Sequence, residues 1–216
     1  MKIGPRGEFE ITPAELFAEA KNNPVRLIND VLIRGTPFVF PTYRNYCDFL
    51  SAAGDALHVH PATLFVRGSS KIGFSISPRI PRPPKTIRVW NRLSEKSDID
   101  LAIVDADLYY RIDGELQRWE QDNKATDFQG EAYEDYLERR QDRCFYYCRE
   151  YRLPQVVGVA FRDAIQSIAT EKFCDCKRTL SAFIFRDWFS LRRRYEYDLR
   201  QLCERVATGK LPPPPS

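Results

Sequence analysis

Hydrophobic positions recur along the chain at helical spacing in several segments. In residues 12–33, Thr12, Pro13 and Glu15 supply an N-cap, a first-turn proline and a capping-box acid. A second helix is expected from Thr42 to the proline at position 61, and a closing helix over residues 191–206. Residues 107–151 look mainly helical with a polar break at 122–130, and a further helix is expected from Pro154.

Three short apolar runs rich in β-formers predict strands. They span residues 62–66, 99–104 and 179–185. Helices alternating with so few strands indicate an α+β class, a small mixed β-sheet core flanked by helices with N- and C-terminal helical additions. The expected organisation is a helical region at 1–60, a core domain at 61–206 and a disordered proline-rich tail at 207–216.

Composition narrows the class of protein without naming a function. The chain has 216 residues, of which 43% are hydrophobic and 29% charged, as in ordinary globular proteins. Its net charge of +3 is too small to indicate nucleic-acid binding by itself. No apolar run approaches the roughly 20 residues that span a bilayer, and the first residues lack a signal-peptide pattern, so no membrane contact and a cytoplasmic location are expected.

The cysteines do not form a recognisable zinc motif. Cys144 and Cys148 are four residues apart, and Cys174 and Cys176 are two apart. Zinc knuckles usually leave two residues between paired ligands, so buried free thiols are the favoured interpretation.

Two aspartates on the second strand are the strongest chemical signal. Side chains alternate along a strand, so Asp98 and Asp100 share one face, with Cα atoms about 6.6 Å apart. Paired carboxylates repel each other, and a hard cation such as Mg²⁺ or Mn²⁺ relieves that repulsion. A wet strand face would also explain both aspartates.

A glycine-serine turn follows the first strand. Gly68 permits a sharp turn and close approach of a ligand, and the Ser69 hydroxyl is then placed to contact an anion. Ser70 could add a hydroxyl and Lys71 a charge. Taken alone, the turn is equally well explained by a serine that caps a helix.

Together the two segments resemble the nucleotidyltransferase superfamily related to DNA polymerase beta. The matching residues are Val66, Gly68 and Ser69, followed by Asp98-Ile99-Asp100-Leu101. The longer segments GSSKIGFSIS and SDIDLAIVD look like uncharacterised bacterial members, and some members of the superfamily act in antiphage defence or as toxins. The resemblance covers about forty residues.

The resemblance implies a metal-dependent transferase. Gly68 and Ser69, with Ser70 and Lys71, would bind a nucleoside triphosphate, while Asp98 and Asp100 would bind Mg²⁺ or Mn²⁺. The acceptor hydroxyl would belong to RNA, DNA, a protein or another nucleotide. The alternative is a catalytically weak relative that binds nucleotide, or a partner protein, as a sensor or antitoxin.

Active members of that superfamily usually carry a third carboxylate on a following strand, and the sequence shows no clear one. Asp187, at the end of the third strand, is the best candidate for a catalytic role, with Asp105 and Asp163 behind it. An N-cap on the closing helix explains Asp187 equally well.

A basic, proline-rich loop separates the two motifs at residues 78–92. Its cations could clamp a triphosphate or guide a nucleic-acid acceptor, or the loop could be a solvated insertion; they are Arg79, Arg82, Lys85, Arg88 and Arg92. A second cluster, Arg192 to Arg194, is expected to pair with Glu196 and Asp198 on its own helix.

Overall fold

The structure, a computed structural model, describes residues 2–3, 9–77, 89–122, 144–147 and 158–215. A short ribbon of β1 (Lys2–Ile3) and β2 (Phe9–Glu10) comes first. The N-terminal helices are α1 (Pro13–Asn22), α2 (Pro24–Arg26) with its π-helical continuation Leu27–Ile33, and α3 (Tyr43–Leu57). No helix in these ranges is both long and apolar enough to cross a bilayer.

The remaining elements build the sheet and its later helices. After a 3-10 turn at Pro61–Thr63 come β3 (Leu64–Arg67), α4 (Ser69–Ile72), β4 (Ile99–Val104), α5 (Ala106–Asp122) and β5 (Cys144–Tyr147). They are followed by α6 (Val159–Ser167), a 3-10 turn at Thr170–Lys172, β6 (Leu180–Phe185) and α7 (Trp188–Ala207). The α+β class is therefore confirmed.

The central sheet has four strands in the order β3-β4-β6-β5. Strand β4 runs antiparallel to β3 and parallel to β6, while β5 is antiparallel to β6. Because β4 and β6 are parallel, their N-terminal ends lie at the same edge of the sheet as the C-terminal end of β3. The two motifs predicted from sequence therefore meet at that edge.

Helices cover both faces of the sheet. One face packs against α3, α5 and α6 through side chains such as Leu101 and Ile103. The other face packs against α1, the π-helical segment and α7 through Ala102, Val104 and Phe185. The predicted alternation along β4, with Ile99, Leu101 and Ile103 in a core, is confirmed, because all three are fully buried.

Two sequence predictions about local structure are wrong. Cys144–Tyr147, expected to be helical, forms edge strand β5, since three aromatic residues follow Cys144 and aromatic side chains suit a pleated edge. The tail was expected to be disordered from position 207, but Leu211 is buried and Trp90 Nε1 donates a hydrogen bond to the Pro212 carbonyl at 2.9 Å. The remaining helix predicted within 123–157, including its start at Pro154, lies outside the described residues.

Candidate functional site

The predicted turn and the predicted carboxylates are neighbours at the shared edge of the sheet. Arg67 on β3 is the register partner of Asp100 on β4, and Gly68 follows Arg67 directly. A β-carbon at Gly68 would lie 2.7 Å from Asp100 Oδ2, so the carboxylate occupies the space beside the glycine. Gly68 has φ 67° and ψ −149°, a backbone conformation that is almost exclusive to glycine.

Ser70 is buried and links the two motif segments by a hydrogen bond. Its hydroxyl donates a hydrogen bond to the Asp98 carbonyl at 2.6 Å, and the residue is 1% exposed. Ser70 was predicted to bind nucleotide, but its hydroxyl is engaged by the backbone of Asp98. Its role is therefore to fix the position of Asp98, whose own side chain is exposed.

Lys71 points away from the site. Its ammonium group donates hydrogen bonds to the carbonyls of Ile33, Arg34 and Gly35, at the end of the π-helical segment. Burial lowers the pKa of Lys71 to about 7. The prediction that Lys71 contacts the nucleotide is wrong in this structure, since the side chain instead fastens the N-terminal helices to α4.

Ser69 is the remaining predicted phosphate ligand. It is half-buried and begins α4, and its carbonyl accepts a hydrogen bond from Gly73 at 2.8 Å. With four residues, α4 is too short for a substantial helix dipole. Any anion binding at this turn would therefore depend chiefly on the Ser69 hydroxyl.

A row of polar side chains crosses three strands beneath α7. Arg67, Asp100 and Ser181 are consecutive register partners on β3, β4 and β6. The Ser181 hydroxyl donates a hydrogen bond to Asp100 Oδ1. Asp100 is therefore flanked by a guanidinium group on one side and a hydroxyl on the other.

Arg67 is held in an aromatic and acidic environment. Its guanidinium lies 4.1 Å from the ring centre of Phe183 and 5.0 Å from that of Tyr195, and Nη2 is 3.4 Å from Asp198 Oδ2. Burial works to lower the pKa of Arg67, but the neighbouring Tyr195, Asp198 and Asp100 keep that pKa above its ordinary value. Arg67 is thus a permanent buried cation beside the site.

Sequence reasoning missed the roles of Arg67 and Ser181, and the pairing of Asp198 with Arg67. A single signal was available, because an arginine two residues after Phe65 must share the buried face of β3. Ser181 and Asp198 have no local signature, since their roles depend on strand register and helix packing.

Asp187 lies far from Asp98 and Asp100, at the opposite edge of the sheet. It lies beyond the C-terminal end of β6, whereas Asp100 pairs with Ser181 near the start of that strand, four residues and about 13 Å before the last strand residue Phe185. Asp187 accepts hydrogen bonds from the Ser190 amide and hydroxyl, both at 2.7 Å, and pairs with Arg186 at 2.8 Å. The catalytic prediction for Asp187 is therefore not supported, and the residue is an N-cap.

The other two carboxylates considered also lie elsewhere. Asp105 follows the C-terminal end of β4 and accepts a hydrogen bond from the Leu108 amide at 2.8 Å. Asp163 is exposed on α6, which packs on the opposite face of the sheet from Asp100. Within the ranges that the structure describes, no group of three or more His, Cys, Asp or Glu residues is arranged to hold a metal ion.

The cysteines and basic residues fit structural roles where they are described. Cys144 and Cys174 are buried thiols in the two separate hydrophobic cores, so they cannot share a zinc ion. Arg192 pairs with Glu196 at 3.0 Å and Arg194 with Asp198 at 3.2 Å, as predicted. Of the loop cations only Arg92 is described, and it is exposed; Arg79, Arg82, Lys85 and Arg88 lie outside the described residues.

The two carboxylates at this edge of the sheet offer oxygen ligands of the kind that a hard cation binds. The Asp98 carboxylate is exposed, and Asp100 Oδ2 faces the space that a β-carbon would fill at Gly68. Mg²⁺ commonly takes one or two protein carboxylates and completes its shell with water and substrate phosphates. Comparison of the chain with protein-family models, curated proteins and solved structures finds no match.

Proposed function

We propose that the chain is a nucleotidyltransferase that uses Mg²⁺ or Mn²⁺ to move a nucleotidyl group from a nucleoside triphosphate to an acceptor hydroxyl. The observation that carries the proposal is the contact between Gly68 and Asp100, which joins the glycine-serine turn to the carboxylate pair. The motif resemblance stated from sequence requires this juxtaposition, and its two halves are separated by about thirty residues of chain.

Each residue of the site has a defined part. Ser69 donates a hydrogen bond to the phosphates, and Asp98 and Asp100 hold the cation. A cation held there would neutralise part of the charge of the triphosphate and would lower the pKa of the attacking hydroxyl. The acceptor oxygen bonds to the α-phosphorus, the bond from that phosphorus to the pyrophosphate oxygen breaks, and the hydroxyl proton passes to water. Acceptors of the right chemistry are RNA or DNA ends, protein hydroxyls and nucleotides, and antiphage defence is the setting that the resemblance favours.

One observation favours a second candidate, a protein that binds nucleotide without turning it over. Ser181 occupies the position beside Asp100 on the neighbouring strand, where a third carboxylate would complete a two-metal site. Arg67 already compensates part of the charge of Asp100. Such a protein would act as a sensor or as the partner of another protein.

Pyrophosphate release tests the enzyme. The wild type, incubated with labelled triphosphates and Mg²⁺ or Mn²⁺, should release pyrophosphate, and the double variant Asp98→Asn, Asp100→Asn should release none. Asp107→Asn, an exposed aspartate on α5, is the matched control and should retain full activity. Undiminished release by the double variant would overturn the assignment. Binding of nucleotide by the wild type with no release would favour the second candidate.

A further inference from the structure

A cleft of about 480 Å³ opens between the C-terminal end of α6 and the start of β6. It is lined by residues 165–171 and 177–180. Its volume is within the range of small-molecule sites, about 300–1,000 Å³. None of the roles assigned above uses this cleft.

Hydrogen bonds within the protein fix the walls of the cleft without a ligand. The Thr170 hydroxyl donates to the Arg178 carbonyl at 2.9 Å and accepts from the Arg178 amide at 2.8 Å, which closes the intervening loop. Arg178 Nη1 then donates to the carbonyls of Ser94 and Ser97, at 2.7 and 3.0 Å. The guanidinium of Arg178 is therefore committed to the turn that precedes Asp98.

The cleft adjoins the carboxylate pair. The Ile99 amide donates to the Thr179 carbonyl at 2.9 Å, so Asp98 and Thr179 are neighbours on adjacent strands, about 4.8 Å apart. Thr179 lines the cleft. Asp98 and Asp100 share the sheet face opposite to α6, so a ligand held at Asp98 by its phosphates reaches the cleft by passing around the edge of the sheet at Thr179.

The lining suits an uncharged group that has both apolar surface and hydrogen-bonding atoms. Ile165 and Leu180 are buried and, with Ile168, supply apolar surface. Gln166 offers both a donor and an acceptor at the rim. Lys177 and Glu171 carry opposite charges, and the Arg178 guanidinium is directed at the Ser94 and Ser97 carbonyls, so these side chains do not form a cluster of cations turned towards a polyanion.

We propose that this cleft binds the nucleoside part, base and ribose, of the triphosphate whose phosphates lie at Ser69 and Asp98. The inference rests on the proposed function, and it deepens that function by dividing the ligand between two adjoining subsites. Phosphates bind at the turn and the carboxylates, and the nucleoside binds between α6 and β6.

Calorimetric titration of the full chain tests the division. The probes are a triphosphate analogue with a methylene group between its α- and β-phosphorus atoms, and inorganic tripolyphosphate, each with Mg²⁺. Ser167→Trp places an indole at an exposed position on the cleft wall, and Gln166→Trp is a second blocking variant. Ala160→Trp, exposed at the other end of α6, is the matched control.

The blocking variants should weaken binding of the analogue at least about tenfold, while tripolyphosphate binding changes less than about twofold. The control variant should bind both probes as the wild type does. Unchanged binding of the analogue by both blocking variants, or equal weakening of both probes, would overturn the cleft assignment alone. A wild type that binds neither probe would overturn the proposed function and this inference together.

Discussion

Asp100 Oδ2 lies directly against Gly68, so close that a β-carbon at position 68 would be 2.7 Å from the carboxylate oxygen. The same glycine has a positive φ of 67° that other residues rarely adopt. A single position therefore controls both the backbone turn before Ser69 and the space available to the carboxylate.

Replacing Gly68 by alanine should damage the site and the fold together. The backbone conformation costs about 1–3 kcal/mol for a residue with a β-carbon, and the methyl group must displace Asp100. We expect a matching decrease in the free energy of unfolding in urea and loss of nucleotide binding. Gly114→Ala is the control, because nothing lies within 4 Å of a β-carbon there and α5 should gain about 0.5–1 kcal/mol. Equal stabilities of the two variants would contradict the structure.

The strands that carry Gly68 and Asp100 were predictable from local sequence, whereas the contacts between distant segments around them were not. The strands 62–66, 99–104 and 179–185 follow from apolar, β-rich runs, and alternation along β4 places Asp100 correctly. The partners of Lys71 are the carbonyls at positions 33–35, and helix α3, a 3-10 turn and strand β3 lie between these positions and Lys71. Hydrogen bonds between segments distant in sequence leave no periodic trace, so Lys71 was misassigned to the nucleotide.

The role of Asp187 could not be assigned from sequence for a related reason, since it depends on how distant strands pair. Its position after a strand is compatible with a catalytic carboxylate or with an N-cap, and sequence alone does not reveal which end of the sheet it occupies. The parallel pairing of β4 and β6 separates Asp187 from Asp100, because it places the start of β4 and the end of β6 at opposite edges of the sheet.

Asp187→Ala should lower stability without affecting nucleotide chemistry. Loss of the cap should cost about 0.5–2 kcal/mol, whereas Asp187→Asn keeps a capping oxygen and should cost less. Neither variant should change pyrophosphate release or nucleotide binding. A loss of activity in Asp187→Asn with unchanged stability would restore the catalytic interpretation.

The contribution of Asp187 should also depend on pH. Partial burial works to raise its pKa, but hydrogen bonds from Ser190 and Arg186 outweigh that effect and lower the pKa to about 2. A carboxylate with a lowered folded-state pKa stabilises the protein above its ordinary pKa of 3.8 and loses this effect as pH falls towards 2. The difference in unfolding free energy between wild type and Asp187→Ala should therefore shrink across that window.

Lys71→Met should weaken the attachment of the N-terminal helices. Three backbone carbonyls lose their donor, and leaving buried acceptors unsatisfied costs about 1–3 kcal/mol. Lys172→Met, an exposed lysine, should be close to neutral. Amide hydrogen exchange in residues 27–35 should accelerate in Lys71→Met and not in the control; unchanged protection there would contradict the proposed attachment.

The loss of stability in Lys71→Met should depend on pH, and the direction follows from the lowered pKa of Lys71. The folded-state pKa of Lys71 is about 7, below its ordinary 10.5, so the unfolded chain binds more protons between these values. The free energy of unfolding of the wild type should rise with pH across this window. Lys71→Met lacks the titrating group, so its stability deficit should grow as pH increases; a deficit that shrinks would contradict the shift.

Arg67 on β3 is buried and should contribute much more to stability than Arg192 on α7, which is exposed. Arg67→Met removes a buried cation from the half-buried Asp198, and breaking a buried pair costs about 3–5 kcal/mol. Arg192→Met breaks a pair with Glu196 in which the arginine side chain is 50% exposed, and should cost at most about 1 kcal/mol. Urea unfolding of both variants measures the contrast, and similar losses would show that Arg67 is not held as described.

Ser181→Asp should convert the polar row beside Asp100 into a stronger cation site. Without metal, the new carboxylate lies next to Asp100 on the neighbouring strand, and a loss of about 2 kcal/mol would lower the unfolding midpoint by about 4–8 °C. Mn²⁺ should reverse this loss, because a divalent cation between the carboxylates removes their repulsion. Ser181→Asn has nearly the same shape without the charge, so Mn²⁺ should shift its midpoint no more than that of the wild type. Equal shifts in the Asp and Asn variants would mean that the edge of the sheet at Asp100 does not bind a cation.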